Sequence, residues 1–344
     1  MRVTRSVQQV RSLIKFTYAP PWWLPGGHLQ TLYAYARGVD YPIRYRRERW
    51  ETPDGDFIDL DWLDSPDSTA NLLVLFHGLE GSSRSHYALS LMALASRQGW
   101  QGVVPHFRGC SGEVNRLPRS YHSGDAPEID WILRRLKEQN PDCALYVAGV
   151  SLGGNMLLTW LGEMGDAASA IVERAAAISA PVDLNAAARV LDVGLRKTIY
   201  TRSFLNSMKP KLLAKIAAKQ LKLDPAAVLA CSTFREIDDL YTAPIHGFTD
   251  ADDYWTKASS KLWLKRIQTP TLLINALNDP FLPVSALPTD RDVSESVKLD
   301  FPESGGHVGF VSGTFPGTLD WLPQRVTDFF AATNHQIEGG SFKA

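Results

Sequence analysis

Short apolar runs alternate with longer amphipathic stretches along most of the chain. The run at 71–76 (NLLVLF) is almost wholly apolar, which is typical of a strand buried on both faces of a parallel sheet. Two earlier strand-like runs are separated by an Asp-Gly turn, which predicts a hairpin. The predicted strands are 45–51, 57–63, 71–76, 102–106, 144–150, 175–179, 271–276 and 297–301.

The stretches between these runs have the periodicity of helices that bury one face. The predicted helices are 28–35, 85–98, 125–139, 152–163 and 317–332. Strands that alternate with helices indicate an α/β fold with a doubly wound, mostly parallel sheet. We expect eight strands in this sheet, with helices on both of its faces.

One interval departs from the alternation. Residues 183–265 contain helical patterns, at 211–221 and 225–239, and no convincing strand. A structureless loop of more than 80 residues is not compatible with a compact domain. We therefore expect a helical cap insertion over the carboxyl edge of the sheet, within a core formed by 41–182 and 266–344. A separate C-terminal domain is the weaker alternative, because strand–helix units resume after the interval.

The first 40 residues are predicted to form an aromatic and helical extension that packs on the core. Trp22 and Trp23 either touch a membrane interface or pack over the core or the mouth of a pocket. The packed arrangement is favoured, because no basic amphipathic helix accompanies them. Residues 1–15 lack the apolar centre of a secretory signal, and no window has the roughly 18 apolar residues that span a bilayer. We expect no stable membrane anchor.

Charge and cysteine content narrow the function classes. The 36 basic and 37 acidic residues nearly cancel to a formal charge of −1, so we do not expect a nucleic-acid partner. Cys110, Cys143 and Cys231 are far apart and odd in number, which argues against a disulfide framework or a zinc site. A reducing cytoplasm is the expected location.

The segment 149–153 (GVSLG) lies between a predicted strand and a predicted helix, which is the context that the Gly-x-Ser-x-Gly pattern requires. Gly149 and Gly153 allow the two backbones to approach closely around the turn. The turn then holds the hydroxyl of Ser151 away from the sheet. Ser151 is the predicted nucleophile; the alternative is a tight glycine turn whose serine caps the helix.

A serine hydroxyl is a poor nucleophile unless a base removes its proton, and in this motif an acid and then a histidine follow the serine. Asp279 lies just past the seventh predicted strand, and His307 lies in a glycine-rich loop past the eighth. Asp290 and Asp292 fit the acid position less well. The alternatives are a turn aspartate before proline and a loop histidine without a role. The predicted relay is Ser151, His307 and Asp279.

An oxyanion hole needs two converging amides. One candidate is the amide of Leu152, at the start of a helix, where unpaired N–H groups favour negative charge. The other is the amide of Leu79, in the turn HGLEG (77–81) after the third predicted strand. His77 is expected to brace this turn rather than react, and Glu80 to bond to local backbone.

Arg108 lies in a further loop at the same edge of the sheet, with two interpretations. It holds a substrate carboxylate or phosphate, or it forms an internal ion pair with Glu113 or Asp125. The internal pair is favoured.

Taken together, these segments resemble the YheT-like branch of the α/β-hydrolases over nearly the whole chain. The segments that carry the resemblance are PGGHLQTL (25–32), HGLEGS (77–82), FRGCSG (107–112), YHSGD (121–125), GVSLGGN (149–155), NDP (278–280) and GGHVG (305–309). The resemblance implies an α/β-hydrolase fold with a helical cap and a Ser-Asp-His relay, which falls on Ser151, Asp279 and His307. It also implies carboxylesterase or acylglycerol lipase activity on short or medium acyl chains.

The leading functional hypothesis is hydrolysis of a small-molecule carboxylic ester through an acyl-serine intermediate. Neither a metal nor another cofactor is expected, since no histidine–carboxylate cluster has ligand spacing. Acyl transfer from the same nucleophile to an alcohol or thiol is one alternative. A non-catalytic hydrolase scaffold that acts as a binding protein is the other.

Overall fold

Eight strands form one sheet in the computed structural model, which describes residues 17–39, 41–67 and 69–332. The segment 1–15, for which no secretory signal is expected, lies outside the described residues. The strands β1–β8 are, in chain order, Arg46–Glu51, Phe57–Leu63, Leu72–Phe76, Gln101–Pro105, Leu145–Val150, Arg174–Ile178, Thr271–Ile274 and Val297–Asp300.

The strands lie in the order β1-β2-β4-β3-β5-β6-β7-β8. β2 is antiparallel to both of its neighbours, and all the other neighbours are parallel. The crossover puts β3 beside β5, with Phe76 opposite Gly149. The loops after these two strands therefore leave the sheet side by side. The predicted class, a mostly parallel eight-stranded sheet flanked by helices, is confirmed.

Ten α-helices of four or more residues are present in the described part of the chain. The helices α1–α10 are, in chain order, Gly27–Arg37, His86–Arg97, Ala126–Gln139, Leu152–Met164, Leu184–Leu191, Arg202–Ala217, Pro225–Ala230, Phe234–Ile237, Ala251–Lys257 and Trp321–Ala331. Single turns and wider π turns fill some of the connections: Gly165–Ala170, Gly194–Arg196, Lys197–Thr201, Asp238–Thr242, Ala243–Ile245, Ser260–Leu262, Leu264–Arg266 and Val284–Ala286.

The two faces of the sheet bury alternate residues of each strand, because successive side chains of a strand point to opposite faces. Val74 and Phe76 pack in the cluster that contains apolar residues of α3 and α4. Leu73 and Leu75 pack in the cluster that contains apolar residues of α2 and α10. β3 is therefore apolar at every position, and all five of its residues are buried.

The interval 183–265 is called the 183–265 segment below. All of its residues are described, and it contains α5–α9 and no strand. The segment has apolar clusters of its own, one around Tyr254 and Trp255 and one around Leu205 and Tyr241. It is also tied to the sheet domain by the buried ammonium of Lys215, which donates hydrogen bonds to the backbone carbonyls of residues 117, 118 and 119.

Three predicted helices have different bounds in the structure. The helix expected at 211–221 begins at Arg202, runs through Pro210 and ends at Ala217. The helix expected at 225–239 is two helices, because Thr233 and Glu236 form a capping box that starts α8 anew. The last helix begins four residues later than predicted, at Trp321, after a turn in which Gly317 has φ +74°.

Of the two adjacent tryptophans near the N-terminus, Trp23 is packed and Trp22 is exposed. Trp23 packs edge-to-face on Tyr33 and Phe315 and donates its indole N–H to the Gly313 carbonyl. Trp22 is 89% exposed, so the predicted packing is wrong for this residue. None of the helices described for this chain has the length and apolar composition to cross a membrane.

Candidate active site

Ser151 occupies the turn from β5 into α4. Its φ of +53° lies in the left-handed region, which costs free energy for any residue with a Cβ. A Cβ added at Gly153 would lie 2.5 Å from the His77 carbonyl oxygen, and one added at Gly149 would lie 2.5 Å from the Gly153 carbonyl oxygen. Only glycine fits at both positions, so the backbone around Ser151 is held by close contacts.

A continuous chain of hydrogen bonds runs from Ser151 through His307 to Asp279. His307 Nε2 lies 2.9 Å from Ser151 Oγ, and His307 Nδ1 lies 2.9 Å from Asp279 Oδ2. The side chains of His307 and Asp279 are 9% and 1% exposed, so solvent competes little with these bonds. The structure therefore brings together the three residues of the predicted relay, whereas Asp292 bonds to Thr289 within its own turn.

His307 is held by residues of two segments, the loop 279–281 and α1. The Phe281 ring is stacked on its imidazole, with centroids 3.8 Å apart and planes 9° apart. The second oxygen of Asp279 accepts a hydrogen bond from the Phe281 amide at 2.8 Å. The His307 amide donates to Thr31 Oγ1 of α1 at 2.8 Å. The ring is thus restricted to an orientation that faces Ser151 and Asp279 together.

The two predicted oxyanion donors follow β3 and β5, the adjacent strands. Gly78 lies against Ser151, since a Cβ added at Gly78 would be 3.2 Å from Ser151 Cβ. Leu79 and Leu152 both line the cavity that contains Ser151. Within the described part of the chain, neither amide donates a hydrogen bond to a protein atom. Both N–H groups are therefore available to a ligand.

His77 supports the loop that carries Leu79. Its Nδ1 donates to the Gly78 carbonyl at 2.7 Å, and its Nε2 accepts from the Phe107 amide at 3.1 Å. Complete burial lowers the pKa of His77 to about 3, so the ring is neutral and one nitrogen is free to accept. The predicted bracing role fits both contacts.

A model of the α/β-hydrolase fold matches residues 71–314, which is more than half of the chain. The chain belongs to the α/β-hydrolase family. This α/β-hydrolase is 40% identical over 308 residues to the candidate esterase YheT of Escherichia coli (strain K12), with 88% of this chain and 89% of the relative covered. It is 28% identical over 339 residues to the human phospholipase ABHD3, with coverage of 96% and 82%.

A solved structure of similar fold is that of the Pyrococcus furiosus esterase Pf2001. It superposes with a TM-score of 0.53 at 15% identity, over 85% of this chain and 96% of that chain. At such low identity the superposition concerns the fold alone. The family model and the two sequence relatives confirm the predicted YheT-like branch, and they place the chain among esterase- and lipase-type α/β-hydrolases.

The cavity that contains Ser151 has a volume of about 120 Å³ and a mostly apolar wall. The carboxyl edge of the sheet and the start of α4 contribute Leu79, Leu152 and Phe281, among other residues. The 183–265 segment contributes most of the remaining apolar side chains, which are Leu184, Ala187, Ala188, Leu191, Phe204, Met208, Phe234 and Trp255. Such a wall suits a hydrocarbon chain attached to the group that reaches Ser151.

Glu80 does not form the predicted bond to local backbone. Its side-chain oxygens instead contact Tyr121, Ser207 and Lys211. Two of these partners lie on α6, far away in the chain, and no local pattern identifies them.

Arg108 forms an internal ion cluster, but with other partners than predicted. Its Nε donates to Glu128 at 2.7 Å, and its Nη1 lies 3.1 Å from Asp56. Glu113 pairs with Arg49 instead, and Asp125 with Arg119. The role as an internal cation is confirmed, whereas Glu113 and Asp125 as its partners are wrong, because the hairpin and α3 approach Arg108 from distant segments.

We expect Arg108→Met to lower the free energy of unfolding by about 3–5 kcal/mol, because it removes the nearest cation from the buried carboxylates of Asp56 and Glu128. Urea unfolding measures the loss. Burial already raises the pKa of Glu128 to about 7, and removing the cation raises it further. A folded-state pKa above the unfolded value favours folding at acid pH, so the deficit must be smaller at pH 5 than at pH 8.

The matched control is Arg46→Met, which breaks an exposed pair with Asp64. This change is expected to cost no more than about 1 kcal/mol. Equal losses in the two variants, or a deficit independent of pH, would show that the Arg108 cluster does not stabilise the fold as described.

Sequence reasoning missed Thr31 and Phe281, the residues that orient His307. Phe281 had a weak signal, since it is an aromatic residue two positions after the predicted acid. Thr31 had none. Its hydroxyl donates locally to the Gly27 carbonyl, and it accepts from the amide of His307, which lies near the other end of the chain.

Proposed function

We propose that this α/β-hydrolase cleaves carboxylic esters through an acyl-serine intermediate on Ser151. The observation that carries the proposal is the unbroken hydrogen-bond chain Ser151–His307–Asp279, which ends in an apolar cavity. An alkyl or acyl chain in that cavity brings its ester carbonyl to the serine hydroxyl.

Acylation begins when His307 Nε2 accepts the proton of Ser151 and Oγ forms a bond to the ester carbonyl carbon. Asp279 holds the Nδ1–H tautomer and stabilises the imidazolium that forms. The amides of Leu79 and Leu152 stabilise the oxyanion of the tetrahedral intermediate. The carbon–oxygen bond to the alcohol then breaks, and His307 returns the proton to the leaving alkoxide.

Deacylation repeats these steps with water. His307 removes a proton from the attacking water molecule, the same two amides stabilise the second oxyanion, and Ser151 leaves with the proton returned by His307. The products are a carboxylic acid and an alcohol, and the enzyme is restored.

The substrate class that the cavity favours is an ester with a short or medium acyl chain, including acylglycerols. The human relative is named a phospholipase, and a Saccharomyces cerevisiae relative, 26% identical over 337 residues with coverage of 83% and 74%, is named a monoacylglycerol lipase. Both names support a fatty acyl ester as the substrate. The 183–265 segment acts as the cap in this proposal, inserted in a core of 41–182 and 266–344.

A panel of p-nitrophenyl esters with graded acyl length tests this substrate class. Each further methylene that the cavity buries contributes about 0.8 kcal/mol, or about fourfold in kcat/KM. We expect kcat/KM to rise with length until the cavity is filled. In Ala188→Phe the rise must end at a shorter chain, because the new ring occupies cavity space beside α5.

Ala186→Phe is the matched control, since Ala186 lies on the same helix but does not line the cavity. It should retain the wild-type dependence on acyl length. If both variants have that dependence, or if wild-type kcat/KM is independent of length, the acyl chain does not bind in this cavity.

A further inference from the structure

Glu80 links the loop of the proposed oxyanion hole to a helix of the 183–265 segment. Its Oε2 lies 2.7 Å from Lys211 Nζ and accepts a hydrogen bond from Ser207 Oγ at 2.7 Å. Ser207 and Lys211 are one turn apart on α6, so they lie on the same face of the helix. The Glu80 side chain is 10% exposed and that of Lys211 30%, so salt screens this pair only weakly.

The backbone of Glu80 is held as firmly as its carboxylate. Tyr121 OH donates to Glu80 Oε1 at 3.0 Å and accepts from the Glu80 amide at 2.9 Å. Glu80 has φ +56°, a left-handed conformation that a residue with a side chain keeps only when its surroundings impose it. Glu80 directly follows Leu79, so the contacts that impose this conformation also fix the peptide next to the Leu79 amide.

The same helix contacts the substrate cavity. Phe204 and Met208 of α6 line the cavity that contains Ser151 and Leu79. One face of α6 therefore binds Glu80, while neighbouring positions contact the space for the acyl chain. A shift of α6 would move the cavity wall and the Glu80 carboxylate together.

We propose that the Glu80–Lys211 ion pair positions the Leu79 amide for the transition state, so that the docked α6 completes the oxyanion hole. The inference rests on the proposed ester hydrolysis. Glu80 and Lys211 are positioning residues here: they act through the Leu79 peptide and touch no reacting atom. Ser207 and Tyr121 support them by holding the same carboxylate.

The test compares Glu80→Gln and Lys211→Met with wild type on a short-chain ester. We expect kcat to fall about 10- to 100-fold, because a misplaced oxyanion donor loses much of its effect. KM should change less than about threefold, since the Leu79 amide contributes mainly after the oxyanion forms. Lys211→Arg retains a cation that reaches Glu80, so it should recover most of the lost kcat.

A trifluoromethyl ketone inhibitor provides a readout that a merely structural tie would not change. It forms a tetrahedral oxyanion on the serine, so its Ki should rise in both variants by the same factor as kcat/KM falls. Lys209→Met is the matched control, because Lys209 lies on α6 but donates to the Leu229 carbonyl within the 183–265 segment. It should keep wild-type kcat and Ki.

The inference is overturned if Lys211→Met has the kcat and Ki of Lys209→Met, or if the loss lies in KM while Ki is unchanged. Should Glu80→Gln fail to fold, Lys211→Met and Ser207→Ala carry the comparison, since both leave Glu80 in place. Labelling of wild type by a fluorophosphonate distinguishes failure of the proposed function from failure of this inference. If wild type is not labelled, the proposed function itself fails. If wild type is labelled but the variants keep wild-type kcat and Ki, only the positioning role is refuted.

Discussion

Replacing Ser151 with alanine is expected to lower kcat for a short-chain ester by about 10⁶-fold. The variant keeps the cavity and the proposed oxyanion donors but has no hydroxyl to form the acyl intermediate. The fold should persist, because the Ser151 amide donates to the Ile178 carbonyl in either variant and the glycines on both sides are unchanged. Steady-state turnover and fluorophosphonate labelling followed by peptide mass spectrometry measure the effect.

The control for this change is Ser90→Ala, which removes a buried serine hydroxyl on α2 that donates to the Tyr87 carbonyl. It should keep wild-type turnover and labelling. Undiminished labelling of Ser151→Ala, or wild type that is not labelled at all, would remove Ser151 from the role of nucleophile.

Replacing His307 with alanine is expected to lower kcat by about 10⁴- to 10⁶-fold, because no other base lies within hydrogen-bond distance of Ser151 Oγ in the described structure. Asp279→Asn should cost about 10⁴-fold, since an amide favours the wrong tautomer of the imidazole. Circular dichroism and the melting temperature check that each variant is folded.

The three residues of the proposed relay act on one proton transfer, so the losses from replacing them should not add. We expect Ser151→Ala/His307→Ala to be no slower than Ser151→Ala alone. A loss of less than about tenfold in His307→Ala, or full additivity in the double variant, would mean that His307 is not the base for Ser151.

Sequence reasoning predicted those parts of the site that depend on neighbouring residues in the chain. The turn at Ser151 is readable because a buried strand, two glycines and a helix are consecutive in the chain. Asp279 and His307 are readable because each follows a strand of a parallel sheet, and the carboxyl ends of such strands meet at one edge. Their hydrogen bonds are not readable, since β7 and β8 lie two and three strands away from β5.

The parts that it missed are long-range contacts. Glu80 meets Lys211, Arg108 meets Glu128 and Asp56, and His307 stacks on Phe281. In each case the residue has several possible partners of suitable charge or shape, and packing of distant segments selects one. Arg108 illustrates this, because its predicted partners Glu113 and Asp125 are both taken by other arginines.

By itself, the sequence determined the alternation of strands and helices, the turn at Ser151 and the order along the chain of the three residues of the proposed relay. These follow from burial periodicity and backbone sterics, which act between near neighbours in the chain. Only the tertiary structure decided that β3 lies beside β5, that Leu79 approaches Ser151, and that Glu80 joins α6. Those relations depend on the free energy of packing segments that are far apart in sequence, which no local pattern records.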